Sequence, residues 1–151
     1  MNLVELPIAN GILRVDRNIS TENVEMRLGH YGLPEFEMPI QTTKKKVGDY
    51  EATIIDNGKY QLAIVPLKGW ENTSVVSCYG LHPESQKSTT LTLSSKYLSN
   101  NSNSYYACLM LWNKSGEEWT EDSLMPVEKL NAEEDFIQIG FKDGSSYSIN
   151  Y

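Results

Sequence analysis

The feature of this chain that most restricts its fold is a succession of short runs of β-branched and aromatic residues, each broken by Gly, Asn, Asp or Pro. Such runs suit a pleated sheet, and the intervening residues favour turns that end each strand. Helical patterning is scarce. We therefore predict an all-β protein, with strands at residues 3–6, 12–16, 24–28, 36–41, 50–55, 60–66, 74–79, 88–94, 105–112, 125–130, 136–141 and 147–151.

Several of these segments alternate between apolar and polar residues, most clearly 88–93 and 135–141. Alternation with a period of two indicates antiparallel strands that bury one face and expose the other. About a dozen strands in one chain must either close into a barrel or stack as two sheets. We predict an antiparallel β-sandwich of about ten to twelve short strands, with a barrel as the second choice.

Two hairpins are predicted from their turn sequences. Asn57-Gly58 lies between the runs 52–55 and 60–65, and Asp143-Gly144 lies between 137–141 and 147–149. Asn-Gly and Asp-Gly favour the turn types that match the twist of paired strands. The flanking and neighbouring runs supply the residues that we predict to form the core, which are Ile54, Leu62, Ile64, Val75, Leu91, Leu93, Leu109, Leu111, Ile137 and Ile139.

Three segments stand apart from this strand pattern. Residues 115–122 could form one helical turn, and the Asn- and Ser-rich stretch 96–104 is the best candidate for a long mobile loop. The short basic run 44–46 is interpreted either as a solvated loop or as a lysine guard on an edge strand, because lysines oppose edge-to-edge pairing of sheets.

Length and charge limit the classes of partner. The 151 residues, 40% hydrophobic and 22% charged, fit a single folded domain over 1–151. A net charge of -7 argues against nucleic acid as a partner, since a phosphate backbone requires a basic surface. No apolar stretch approaches the roughly 18 residues of a membrane span, so no membrane partner is expected. A complete chain with this start would be cytoplasmic, and a piece of a secreted glycan enzyme would be periplasmic or extracellular.

The two histidines lie in similar peptides. His30 precedes Tyr31-Gly32-Leu33-Pro34-Glu35, and His82 lies within Tyr79-Gly80-Leu81-His82-Pro83-Glu84. Gly and Pro restrict these peptides to specified turns, which are either structural corners or parts of a site. We favour corners, and we expect no catalytic residue, metal or cofactor, because the chain has no HExxH, no CxxC, no G-x-S-x-G and no glycine-rich phosphate loop. Cys78 and Cys108 are predicted to be buried free thiols, with a disulfide as the alternative.

Aromatic residues are the more suggestive signal. The chain has three Trp and nine Tyr but only three Phe, so its aromatic side chains mostly carry a polar tip. Such side chains lie half exposed at binding surfaces, where a sugar ring can stack on them. Trp70, Trp112 and Trp119 are therefore candidate ligand-binding residues. The alternative is that each plugs an open end of the sandwich.

The peptide 27–34, with 56–63 and 68–71 after it, resembles the all-β C-terminal module that follows an α/α-toroid in bacterial polysaccharide-degrading enzymes, the heparinase II/III-like lyases and related families. The resemblance covers residues 24–85 and implies a β-sandwich accessory to such an enzyme. In those families the toroid and the central sandwich supply the general bases and most sugar contacts. This chain has no toroid, so the resemblance implies a non-catalytic role in which His30 and Tyr31 contribute to a shared cleft.

Three hypotheses about function follow. The first is a non-catalytic glycan-associated domain whose partners are a polysaccharide or oligosaccharide and a larger parent protein. The second is a protein-interaction or structural module that pairs through a strand edge, for example as a homo-oligomer. The third is a small hydrolase or lyase that uses His30 and His82, which requires both rings in one pocket.

Overall fold

The computed structural model of the chain describes residues 2–20, 24–29, 33–35, 38–79, 87–98, 102–133 and 136–150. The chain divides into two compact units, 1–117 and 118–151. The single domain over 1–151 stays a prediction. The described elements, in chain order, are β1 (Asn2–Ile8), β2 (Gly11–Ser20), β3 (Val24–Gly29), β4 (Leu33–Pro34), β5 (Gln41–Val47), β6 (Tyr50–Asp56), β7 (Tyr60–Lys68), β8 (Asn72–Tyr79), β9 (Lys87–Leu98), β10 (Ser102–Lys114), α1 (Glu121–Leu124), β11 (Val127–Ala132), β12 (Phe136–Phe141) and β13 (Ser146–Asn150).

The first unit contains two antiparallel sheets. One has six strands in the order β1-β2-β10-β7-β6-β5, and the other has four, with β3, β4 and β8 all paired to β9. Apolar side chains of both sheets meet in a core cluster of Ile55, Ile64, Cys108 and Leu93, the last of these from β9. The prediction of an antiparallel β-sandwich is therefore confirmed, and within the described residues the six-stranded sheet is open, with β1 and β5 at its edges.

Both predicted hairpins are confirmed. The Asn57-Gly58 turn joins β6 to β7, and the Asp143-Gly144 turn joins β12 to β13. Gly58 and Gly144 have φ of 84° and 86°, in the region that glycine tolerates and other residues avoid. Each preceding polar side chain closes its turn through an acceptor oxygen: Asn57 Oδ1 and Asp143 Oδ1 accept from backbone N–H groups two residues on.

The basic run 44–46 lies on β5, at the edge of the six-stranded sheet. The edge-guard interpretation is therefore the correct one, and Lys44 Nζ also pairs with Glu51 Oε1 of β6 at 2.6 Å. The strand predicted at 36–41 is wrong over 38–40, because β5 begins only at Gln41, and residues 36 and 37 lie outside the described residues. Pro39, which has no N–H to donate to a ladder, lies in the irregular segment before it.

Two further predictions need correction. The stretch 96–104 is not one long loop, since β9 continues to Leu98 and β10 starts at Ser102. Ser102, Asn103 and Ser104 lie in β10, where the neighbouring strand β2 pairs with them, as Ser102 opposite Ser20 shows. Residues 99–101 lie outside the described residues. The helical turn begins at Glu121, later than predicted, because Thr120 and Ser123 form a capping box there.

The predicted core is mostly confirmed. Seven of its members are buried, and Leu62 is partly buried against the core cluster. The prediction for Val75 is wrong, since Val75 lies on β8 and is 40% exposed. The prediction failed because alternation along a strand does not say which face another sheet covers. The side chain of Leu91 is outside the description. The buried seven are Ile54, Ile64, Leu93, Leu109, Leu111, Ile137 and Ile139.

The second unit is a three-stranded antiparallel sheet in the order β11-β12-β13, preceded by α1. Its register places Ile137 opposite Ile149 and Ile139 opposite Tyr147, so these side chains share one face. Trp119, Leu124 and Phe141 are buried in the same unit. In the part of the chain that the structure describes, no helix has the length and apolar character needed to cross a membrane.

Candidate functional site

A cleft of about 570 Å³ opens on the first unit, where β7 and β10 run beside β4. Its volume lies within the roughly 300 to 1,000 Å³ that is usual for small-molecule sites. The walls come from one strand of the four-stranded sheet, from two strands of the six-stranded sheet and from the turn after β10. The lining residues are Leu33, Tyr60, Gln61, Leu62, Trp112, Asn113, Lys114 and Glu117.

Strand register explains why the apolar lining residues lie together. Trp112 is opposite Leu62 and Lys114 is opposite Tyr60, and residues directly opposite in an antiparallel pair point to the same face. Leu62 packs against the core cluster, so this is the face that the second sheet covers. Along β7 the exposure rises from 0% at Ile64 to 45% at Tyr60, so the covered face becomes an open one at the cleft.

Trp112 and Tyr60 are the exposed aromatic side chains of this cleft, with Trp112 50% exposed. They are diagonal neighbours across β7 and β10, on the same face of the sheet, and both line the cleft. Leu33 and Leu62 supply the apolar lining beside them, and Lys114 and Glu117 contribute one positive and one negative side chain. The aromatic, apolar and charged side chains of this lining suit stacking and hydrogen bonding.

The turn before Tyr60 is held by the side chain of Asn57, which is only 2% exposed. Its Oδ1 accepts from the backbone N–H groups of Lys59 at 3.0 Å and Tyr60 at 2.8 Å. Its Nδ2 donates to the carbonyl oxygen of Pro34 at 3.0 Å. One side chain therefore connects the β6–β7 turn with β4, which carries Leu33 of the opposite wall.

Asp56, next to Asn57, connects β6 with the turn after β10. Its carboxylate accepts from Gly58 N at 2.8 Å, Gln61 Nε2 at 3.0 Å and Ser115 Oγ at 3.0 Å. Partial burial opposes ionisation, but the hydrogen bonds from Gln61, Gly58 and Ser115 together outweigh it and lower the pKa of Asp56 below its ordinary 3.8. The ionised form is thus the one that holds Gln61 and Ser115 beside the cleft.

This lowered pKa predicts a contribution of Asp56 to acid stability. A carboxyl with a depressed folded-state pKa stabilises the fold above its unfolded-state value, and the contribution is lost as the pH falls through the folded-state value. We expect Asp56→Asn to cost about 1 kcal/mol or less at pH 7, since solvent screens a partly exposed carboxylate, and to flatten the loss of stability below pH 3.8. Urea unfolding between pH 2 and pH 7 measures both effects.

Asp49→Asn serves as the control, because Asp49 is an exposed carboxylate in the β5–β6 turn. It should unfold like the wild type at pH 7. A pH profile of Asp56→Asn that runs parallel to the wild-type profile below pH 4 would contradict the role assigned to Asp56.

Trp70 and Trp119, the other predicted ligand-binding residues that the structure describes, are not among the residues that line the cleft. Trp70 packs against the core cluster and against Tyr106, with ring centroids 5.0 Å apart and planes inclined by 50°. Trp119 is 4% exposed in the second unit. His30 and Tyr31 lie outside the described residues, as does His82. Of the predicted candidates that the structure describes, Trp112 is therefore the one at the cleft.

Sequence reasoning missed Tyr60, Leu33 and Lys114 as members of one site. Tyr60 follows the predicted Asn57-Gly58 turn directly, so the signal available was an aromatic residue at the start of a hairpin strand. The residue opposite it in the sheet depends on the pairing of β7 with β10, which no local pattern specifies. Leu33 comes from a different sheet, and only the packing of the two sheets brings it to Leu62.

Among the described residues, the titratable groups give no indication of a redox or metal site, and the side chain of Cys78 lies outside the description. Cys108 is a free, buried thiol whose pKa burial raises to about 12, so it is almost wholly protonated and unreactive near neutral pH. Within the described ranges, no group of three or more His, Cys, Asp or Glu side chains is arranged to hold a metal ion.

Comparison with protein-family models, with curated proteins and with solved structures finds no match for this chain.

Proposed function

We propose that this chain is a non-catalytic carbohydrate-binding domain and that the cleft beside Trp112 is its saccharide site. The observation that carries the proposal is the pair of exposed aromatic rings, Trp112 and Tyr60, on one face of a β-sandwich at the mouth of a cleft of about 570 Å³. An exposed Trp costs solvation free energy unless something covers it, and an aromatic pair beside an apolar wall is a concentrated binding surface.

The amphipathic character of a sugar ring matches this cleft. Its C–H faces stack on aromatic rings, and its hydroxyl groups need donors and acceptors around the edge. Lys114 and Glu117 supply a charged donor and a charged acceptor, whose hydrogen bonds are stronger than those between neutral groups. A sugar bound there would be held by stacking and oriented by the charged groups.

A role within a larger polysaccharide-degrading protein accompanies this proposal. It rests on the resemblance of residues 24–85 to the accessory module of toroid-containing enzymes. In that arrangement the chain holds the polysaccharide and another part of the protein cleaves it. The small enzyme that uses His30 and His82 stays an alternative that the structure does not test, because both histidines lie outside the described residues.

Strand-edge pairing is less supported than saccharide binding. One edge strand of the six-stranded sheet, β5, carries exposed Lys44 and Lys46, and the other, β1, carries exposed Glu5 and Pro7. Charged side chains and proline at an edge oppose the addition of another strand. These side chains therefore favour sheet edges that stay unpaired over edges that pair with a strand of another chain.

The test is Trp112→Ala in a glycan array followed by calorimetric titration. Truncating a central aromatic anchor costs about 2 kcal/mol or more of binding free energy, so we expect the affinity to fall about thirtyfold. Tyr60→Ala should weaken binding less, because Tyr offers a smaller ring. Both variants should stay folded with only a small drop in melting temperature, since both side chains are about half exposed.

Tyr50→Ala is the matched control, because Tyr50 is an exposed aromatic residue that does not line the cleft. It should bind saccharide like the wild type. The proposal is wrong if the wild type binds no neutral or acidic oligosaccharide at millimolar concentration, or if Trp112→Ala and Tyr60→Ala bind as tightly as Tyr50→Ala.

A further inference from the structure

We propose that Asn57 is a positioning residue of the cleft. By connecting the two sheets through hydrogen bonds, it sets the distance between Leu33 on one side of the cleft and Tyr60 on the other. We call this connection the latch. The inference rests on the proposed function for its binding readout, and it adds the residue that controls the shape of that site. Asn57 itself is not among the lining residues, so it acts through Leu33 and Tyr60.

The hydrogen bond from Asn57 Nδ2 to the carbonyl oxygen of Pro34 spans 3.0 Å and joins residues 23 positions apart. Pro34 is next to Leu33 on β4, which belongs to the four-stranded sheet through its pairing with β9. Asn57 belongs to the turn of the six-stranded sheet. Because Asn57 is 2% exposed, water does not readily replace a lost bond, and each unpaired buried group carries a desolvation cost.

The two ends of the Asn57 amide hold different parts of the molecule. The backbone N–H groups of Lys59 and Tyr60 require an acceptor, which identifies the atom facing them as Oδ1. The Pro34 carbonyl requires a donor, which identifies the other atom as Nδ2. Oδ1 therefore maintains the turn and Nδ2 maintains the connection between the sheets. A substitution that keeps the acceptor and removes the donor separates the two roles.

Asn57→Asp is such a substitution. At neutral pH its ionised carboxylate still accepts from the turn, but its second oxygen faces the Pro34 carbonyl, so two acceptors oppose each other. Below the ordinary carboxyl pKa the protonated side chain regains an O–H donor and can restore the bond to Pro34. Asp56 and Lys59 flank the position on the turn, and Glu35 follows Pro34, so the wild type is measured at each pH to account for their titration.

The first experiment measures the affinity for cellotetraose, xylotetraose and tetragalacturonate by calorimetry at pH 7 and pH 4. We expect Asn57→Asp to bind about tenfold more weakly than the wild type at pH 7, and most of that loss to be recovered only at pH 3, below the ordinary carboxyl pKa, so pH 3 is measured as well. Asn57→Ser keeps a short acceptor for the turn but cannot reach Pro34, so it should show a similar loss at every pH value. A merely structural role would not produce recovery in acid for one variant alone.

Asp143→Ser is the matched control. Asp143 Oδ1 closes a comparable turn by accepting from Ser145 N at 2.8 Å, and Asp143 does not line the cleft. This variant should keep the wild-type affinity at every pH value.

The second experiment needs no saccharide, so it distinguishes failure of the latch from failure of the proposed function. Leu33 packs against the core cluster, which includes Ile64 of the other sheet. In methyl-labelled protein, cross-relaxation between the methyl groups of Leu33 and the cluster should weaken in Asn57→Asp at pH 7, return at pH 3, and stay weak in Asn57→Ser. If the wild type binds none of the three saccharides, the proposed function is contradicted while this measurement still decides the latch. Unchanged cross-relaxation and affinity in both folded variants would overturn the latch.

Discussion

Gly69→Ala is expected to lower the free energy of unfolding by about 2 to 5 kcal/mol, because the position combines two separate costs. Gly69 has φ of 80°, where a side chain costs about 1 to 2 kcal/mol. A Cβ there would lie 2.6 Å from Tyr106 Cδ1 and 2.7 Å from the Tyr105 carbonyl oxygen, and such overpacking adds about 1 to 3 kcal/mol. Urea unfolding followed by far-UV circular dichroism measures the loss.

Gly116→Ala separates the two costs. Gly116 has nearly the same φ, 84°, but a Cβ built there meets no described atom within 4 Å. We expect this variant to lose only the backbone cost of about 1 to 2 kcal/mol. Tyr106 stacks on Trp70, so Gly69→Ala should also change the near-UV circular dichroism of the aromatic pair, and Gly116→Ala should not. Equal losses in the two variants would mean that the crowding at Gly69 is relieved without cost.

Ile64→Ala is the second substitution with a large expected effect, a loss of about 2 to 5 kcal/mol. Ile64 lies at the middle of β7, is fully buried, and belongs to the core cluster that joins the two sheets of the first unit. Removing its three outer carbon atoms both forfeits apolar burial and leaves a cavity that close-packed neighbours cannot fill. Equilibrium unfolding in urea, with the slope compared between variants, measures the change.

Val75→Ala is the corresponding control. Val75 was predicted for the same core on the same kind of pattern, but it is largely exposed on β8. Its loss should stay within about 0.5 kcal/mol. A loss at Val75 as large as that at Ile64 would mean that the exposed face of β8 is covered in solution.

The fold class follows from local signals that act over a few residues. Asn57-Gly58 and Asp143-Gly144 favour hairpin turns wherever they stand between strand-forming runs, and both hairpins form. The lysines at 44–46 oppose edge pairing by their charge, and they lie on an edge strand. These features depend on backbone preference and charge, which are properties of the peptide itself.

Burial is less predictable, because it depends on what lies against each face. Ile64 and Val75 were both predicted for the core from strand-forming runs, yet Ile64 is fully buried and Val75 is 40% exposed. Trp70, Trp112 and Trp119 were equivalent candidates, yet Trp119 is buried and Trp70 packs on Tyr106. Period-two alternation separates the two faces of a strand and leaves open which face another element covers.

The sequence alone therefore determined the all-β class and the two hairpin turns, since each depends on short-range backbone preferences. It left residues 44–46 as either a loop or an edge strand, and the strand order of the sheet decided for the edge. The candidate site was decided by tertiary structure. Trp112 meets Leu62 through the register of β7 with β10, and Leu33 approaches them from the other sheet. The hydrogen bond from Asn57 to Pro34 crosses 23 positions of the chain. Such long-range pairings arise only when the whole sandwich packs, because no segment of a few residues contains both partners.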